Sequence, residues 1–146
     1  MSLITKIKNY LILIRLNAPI GIFLLLWPTL WALWISAHGQ PDSKILIIFI
    51  LGVITTRSAG CALNDFADHK IDPHIERTKQ RPIVTGKISP NEALGVFFFL
   101  SFFSIILALQ LNVAAIKLAV IAALLTIIYP YIKRFLSIPQ LFLGIA

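Results

Sequence analysis

The sequence predicts an all-α, multi-span transmembrane helical bundle, and three observations predict it. Hydrophobic residues make up 58% of the chain and charged residues 13%, and the mean hydropathy of +0.88 lies outside the range of soluble domains. Apolar runs recur at close to the length of about 20 residues that a helix needs to cross hydrocarbon. Basic residues gather at the ends of those runs.

The elements follow in chain order. Met1 to Leu16 is weakly amphipathic and basic, carries no small-residue cleavage site, and is expected to lie along the membrane interface. Four full spans are expected, over Ile20 to Ala37, Ile45 to Leu63, Ala93 to Gln110 and Val113 to Tyr131. Pro139 to Ala146 reads as the first two turns of a fifth, so a truncated product is expected. The polar stretch from Asp65 to Asn91 joins spans two and three, and loops of that length commonly carry function.

The net charge of +7 would suggest a nucleic-acid partner in a soluble protein, but here it follows the topology. Lys6, Lys8 and Arg15 precede the first span; Lys70, Arg77, Lys79, Arg81 and Lys87 lie between spans two and three; Lys133 and Arg134 follow span four. The positive-inside rule puts all three groups, and with them the amino terminus, in the cytoplasm. The absence of an Arg- and Ser-rich leader favours a bacterial plasma membrane. Lys117 can snorkel to the opposite surface. Cys61 is the single cysteine, forms no internal disulfide, and sits between Gly60 and Ala62 as a small packing residue.

Chemistry concentrates in Asn64-Asp65-Phe66-Ala67-Asp68-His69-Lys70-Ile71-Asp72, at the mouth of span two. Ionisable residues inside a membrane cost roughly 2.5 to 3.5 kcal/mol each on insertion scales and therefore mark polar cavities. Asn64, Asp68 and Asp72 follow at i, i+4 and i+8, one drifting stripe of a helix, and Asp65 adds a further oxygen donor beside it. Pro73 is expected to end the helix at Asp72. Carboxylates at a helix carboxyl end oppose the macrodipole and repel one another, which a divalent cation relieves. Oxygen donors without a His or Cys cluster suit Mg²⁺, which prefers one or two carboxylates together with substrate phosphates. His69 and His74 stand outside the stripe.

Arg77, Lys79 and Arg81 place positive charge next to this stripe. That pairing suits a diphosphate, with arginines binding some oxygens while the metal bridges others; the same residues also satisfy the topology rule alone. Arg57 lies seven residues before Asn64, on nearly the same helix face. It holds a substrate anion or neutralises the acidic stripe, and the sequence leaves both readings open. Trp27, Trp31 and Trp34 are assigned to packing and interface anchoring.

With these residues in view, the chain resembles the UbiA-type intramembrane prenyltransferases, and within them the 4-hydroxybenzoate polyprenyltransferases of ubiquinone synthesis. The resemblance runs through Leu16-Asn17-Ala18-Pro19-Ile20-Gly21, Leu26 to Trp34, Gly60 to Asp65, Arg77-Thr78 with Arg81-Pro82, and Tyr129-Pro130 with Lys133-Arg134. It implies nine spans around a central cavity, in which two acidic motifs hold Mg²⁺ and the diphosphate of a polyprenyl donor. On that basis Asn64, Asp65, Asp68 and Asp72 would hold the metal, and Asp68, Asp72 and Arg134 would be catalytic. Arg57, Asn64, Arg77, Lys79, Arg81 and Lys133 would bind substrate. The implied partners are polyprenyl diphosphate, 4-hydroxybenzoate and the lipid bilayer. The implied reaction takes up charge on the departing diphosphate, leaving an allylic cation that the aromatic ring attacks beside its hydroxyl.

The second acidic motif has no counterpart after Glu92. The chain is therefore expected to be the amino-terminal part of one prenyltransferase domain, inactive without its carboxyl-terminal half. Prenyl transfer to homogentisate, dihydroxynaphthoate, haem or chlorophyllide is the alternative within the superfamily. A non-catalytic membrane module is the alternative outside it.

Overall fold

A computed structural model describes residues 3–70, 76 and 78–132, and every regular element in them is a helix: α1 (Leu3–Leu13), α2 (Ile20–Ser36), α3 (Ser43–Asp68), α4 (Pro90–Ala108) and α5 (Val113–Ile132). The expected fifth span, with Lys133 and Arg134, lies outside the described residues. Three helices, α3, α4 and α5, are long and apolar enough to cross a membrane. The expectation of four full spans is met less completely by α2, an apolar helix of 17 residues. At 1.5 Å per residue it reaches roughly 25 Å. It stops at Ser36 because His38 and Gly39 turn left-handed (φ 49° and 85°), and the Gly39 amide closes on the Trp34 carbonyl at 2.9 Å.

The helix starts are written in local polar residues. The Asp42 side chain accepts from the Ile45 amide at 3.0 Å, capping α3. Ser89-Pro90-Asn91-Glu92 forms a capping box at the start of α4: the Glu92 amide donates to Ser89 Oγ at 3.1 Å, and the Ser89 amide donates to Glu92 Oε2 at 2.8 Å. Pro90 occupies the first turn, where no amide is needed. Asn112 accepts from the Ala115 amide at 2.8 Å at the start of α5.

Helix α3 is the centre of the bundle and touches each of the other four helices. Its buried run Ser58, Ala59, Cys61 and Ala62 consists of small residues, which let neighbouring helices approach closely. The expected packing role of Cys61 fits this placement. Ser104 of α4 donates to Thr55 of α3 at 2.8 Å, an interhelical bond of the kind that contributes about 0.6 kcal/mol in membranes. The outer flanks remain apolar and open, with Phe98, Phe99 and Phe102 of α4 and Leu118 and Leu124 of α5 more than half exposed.

The buried core does not sit at mid-bundle. It gathers at one end, where Leu13 of α1, Ala62 of α3, Ile83 and Ile88 of the connecting segment and Ala93 of α4 pack together, flanked by Tyr10, Phe66, Val96 and Phe97. The segment 78–89 is therefore a folded cap. Its amides close short turns, Arg81 onto Thr78 at 3.0 Å, Thr85 onto Arg81 at 3.0 Å and Lys87 onto Pro82 at 2.9 Å, and Gly86 takes the left-handed conformation (φ 69°) that returns the chain to α4.

Helix α1 is held to the start of α4, beside this cap. Lys6 Nζ lies 2.8 Å from Glu92 Oε1, and the Tyr10 hydroxyl donates to the same oxygen at 3.1 Å. Hydrogen bonding to Glu92, reinforced by its charge, raises the Lys6 pKa above the ordinary 10.5. The same contact lowers the Glu92 pKa from 4.5 to about 2, so it contributes fully between pH 4.5 and pH 10.5, fading as pH climbs through the folded value of Lys6 or falls through that of Glu92. The interfacial helix anticipated from Met1 to Leu16 is thus a docked helix, with Leu3 and Ile4 left exposed on its other side.

Candidate functional site

The site is built on the carboxyl end of α3. With 26 residues this helix is about 39 Å long and exceeds a hydrocarbon layer of roughly 30 Å. Its last turns therefore project to the polar boundary. It ends at Asp68 rather than at Asp72: His69 takes the cap position, its amide reaching the Phe66 carbonyl at 3.5 Å and its Nδ1 lying 2.6 Å from the same oxygen. His69 is engaged with its own helix end, consistent with its place outside the ligand stripe. Only Asn64 and Asp68 of the expected stripe share α3, and both are partly exposed. Asp72, His74, Arg77, Lys133 and Arg134 lie outside the described residues.

Asp65, expected beside the metal, is drawn into a buried ion cluster. Its side chain is 2% exposed, and Oδ1 receives two arginines, Arg81 Nη1 at 3.0 Å and Arg15 Nη2 at 3.3 Å. Removing one partner from a buried ionic group costs about 3–5 kcal/mol in typical cases. Asp65 is thus the ionic centre that joins the α1–α2 turn, the end of α3 and the cap. Arg81, expected to face a diphosphate, is 16% exposed and points into this cluster. Lys79, expected to bind substrate, lies at the surface with Nζ 2.6 Å from Glu76 Oε1.

Arg15 is the residue that sequence reasoning missed. It counted only as one of the basic residues preceding the first span, yet it closes α1 through a Schellman turn: the Leu16 amide bonds the Leu11 carbonyl at 3.0 Å, and the Arg15 amide bonds that of Ile12 at 3.1 Å. Arg15 itself is left-handed, φ 62°. Glycine is the usual residue at this position, and a side chain there costs about 1–2 kcal/mol. An arginine where the helix end favours glycine was the available signal.

Arg57 turns toward α2. A Cβ placed on Gly21 would lie 2.8 Å from Arg57 Nη2 and 3.0 Å from Nε, so the guanidinium rests against the first turn of α2 at a glycine. An open groove of about 520 Å³ on α2 is lined by Leu24, Trp27, Pro28 and Trp31. It offers hydrocarbon contact and no charge. Among the described residues no group of three or more His, Cys, Asp or Glu converges on a metal position. The donor set of Asn64 and Asp68 nevertheless fits Mg²⁺, which needs only one or two protein oxygens when phosphate supplies others.

These features define a multi-pass helical membrane protein with a buried ion cluster at one end of an apolar bundle. Residues 25–146 match the UbiA prenyltransferase family, and the chain belongs to that family. It is 56% identical over its whole length to a 4-hydroxybenzoate octaprenyltransferase of Nitrosomonas eutropha, covering 51% of that protein. Over 99% of its length it is 54% identical to the protein of that name from Vibrio atlanticus, again covering 51% of it. The Coxiella burnetii protein is 51% identical across the whole chain, with 51% covered. The chain thus spans about half the length of the curated relatives it matches. No solved structure matches it.

Proposed function

We propose that the complete protein transfers a polyprenyl group, of octaprenyl length, from its diphosphate to the ring of 4-hydroxybenzoate in ubiquinone biosynthesis. Residues 1–146 would be the amino-terminal part of the catalytic domain, acting with a carboxyl-terminal half. The observation that carries this reading is identity above 50%, across virtually the whole chain, to relatives bearing that name. The acidic end of α3, closed over by a basic cap, is where the chemistry fits.

In this reading Asn64 and Asp68, joined by Asp72, hold Mg²⁺, with Asp65 behind them. Mg²⁺, when bound, offsets the negative charge that develops on the leaving diphosphate. Arg77, Lys79, Lys133 and Arg134 orient the same diphosphate by charge-assisted hydrogen bonds. The allylic C–O bond breaks and diphosphate departs with the bonding pair; a C–C bond forms beside the phenolic hydroxyl, and the ring loses one proton. Apolar helix faces exclude water from the cation and receive the prenyl chain. The three basic groups support an amino terminus and an acidic end that face the cytoplasm, in a bacterial inner membrane.

The test supplies membranes containing the complete protein with octaprenyl diphosphate and labelled 4-hydroxybenzoate, with and without a chelator. Prenylated 4-hydroxybenzoate that disappears with chelator and returns with Mg²⁺ is the expected result. Product only from homogentisate or dihydroxynaphthoate would reassign the acceptor, and no product from any acceptor would remove the enzymatic reading. In the same assay Gly21→Ala, which displaces the Arg57 guanidinium, is expected to raise the KM of one anionic substrate. The rise should be about tenfold, the effect of misplacing a charge-assisted hydrogen bond that contributes about 1.5 kcal/mol. Unchanged KM values for both substrates would assign Arg57 to neutralising the acidic end.

A further inference from the structure

We propose that Asp65 is a positioning residue that clamps the basic cap onto the end of α3, and that it is not a ligand of the metal; the catalytic part of this claim rests on the prenyltransferase reading above. Two independent observations carry it. One carboxylate oxygen, in a side chain 2% exposed, receives arginines from two separate segments: Arg15 from the α1–α2 turn and Arg81 from the cap. Arg15 reaches that oxygen from a left-handed backbone position (φ 62°) that glycine would occupy more easily. A strained non-glycine residue whose side chain closes a buried ion cluster points to a constraint on that side chain.

The clamp explains how a segment rich in charge folds tightly over a helix end. Ile83 and Ile88 of the cap pack on Leu13 and Ala62, but apolar contacts alone are non-directional. The Arg81–Asp65 contact fixes the rotation of the cap about α3, and Arg15–Asp65 fixes the turn that starts α2. Asp68, three residues on and partly exposed, is left facing the polar boundary. Two aspartates of the same motif thus divide the work: Asp68 meets the diphosphate site and Asp65 holds its cover.

The experiment compares Asp65→Asn with Asp68→Asn in the complete protein, in membrane fragments open on both faces. The first readout, independent of activity, is the rate of tryptic cleavage at Lys79–Gln80 and Lys87–Ile88. The second is the Mg²⁺ concentration giving half-maximal transfer. Asp65→Asn is expected to speed cleavage at least tenfold and to lower kcat at least tenfold, with the Mg²⁺ requirement unchanged within twofold. Asp68→Asn is expected to leave cleavage unchanged and to raise the Mg²⁺ requirement at least tenfold. Unchanged cleavage in Asp65→Asn, or a Mg²⁺ shift matching that of Asp68→Asn, overturns the proposal. Should Asp65→Asn fail to accumulate, Arg81→Gln carries the same expectation of faster cleavage, and its absence overturns the clamp equally. If no acceptor is prenylated by the unaltered protein, the functional reading fails while the cleavage comparison still decides the clamp.

Discussion

Asp68→Ala in the complete protein is expected to lower kcat for prenyl transfer by about 10²–10³, the loss typical of removing one group that stabilises charge in a transition state. The residue is the last of α3 and partly exposed, outside the buried core. Its removal opens no cavity, so the variant should insert and accumulate normally. Asp72→Ala carries the same expectation. The measurement is initial rate at saturating Mg²⁺, with membrane content determined by immunoblot. Full activity in Asp68→Ala would remove the oxygen-donor stripe from the mechanism.

Leu13→Ala is the largest expected stability effect. Leu13 is fully buried where α1 meets the cap, α3 and α4, and Leu→Ala substitutions in such places cost about 2–5 kcal/mol. Thermal aggregation in detergent should shift to a clearly lower temperature. Leu11, 40% exposed on the same helix, provides the comparison, and Leu11→Ala should change little. Equal effects would mean that α1 merely rests at the interface and is not docked.

The helices were legible because a membrane segment announces itself by a long apolar run, and the four expected spans coincide with α2, α3, α4 and α5 within a few residues at each end. The ends were less so. Pro73 predicts a helix end at Asp72, whereas α3 stops at Asp68, where His69 bonds back to the Phe66 carbonyl. The different surroundings of Asp65 and Asp68 were illegible for a different reason. Both are aspartates at one helix end, and what buries Asp65 is Arg15, 50 residues earlier, together with Arg81. Nothing in the local pattern encodes that meeting. The α1 contacts were hidden in the same way, since Tyr10 and Glu92 are 82 residues apart.

Those separations also order events in time. Lys6 and Tyr10 cannot form their contacts with Glu92 until it has been made, and Arg15 must wait for Asp65. At synthesis rates of about 5–20 residues per second the delay between Tyr10 and Glu92 is roughly 4 to 16 seconds. Helix α1 is thus fixed to α4 only after α2 and α3 have been made. During that interval its basic, half-apolar surface is free to rest on lipid headgroups, and α1 takes its final seat only when the start of α4 arrives to receive it.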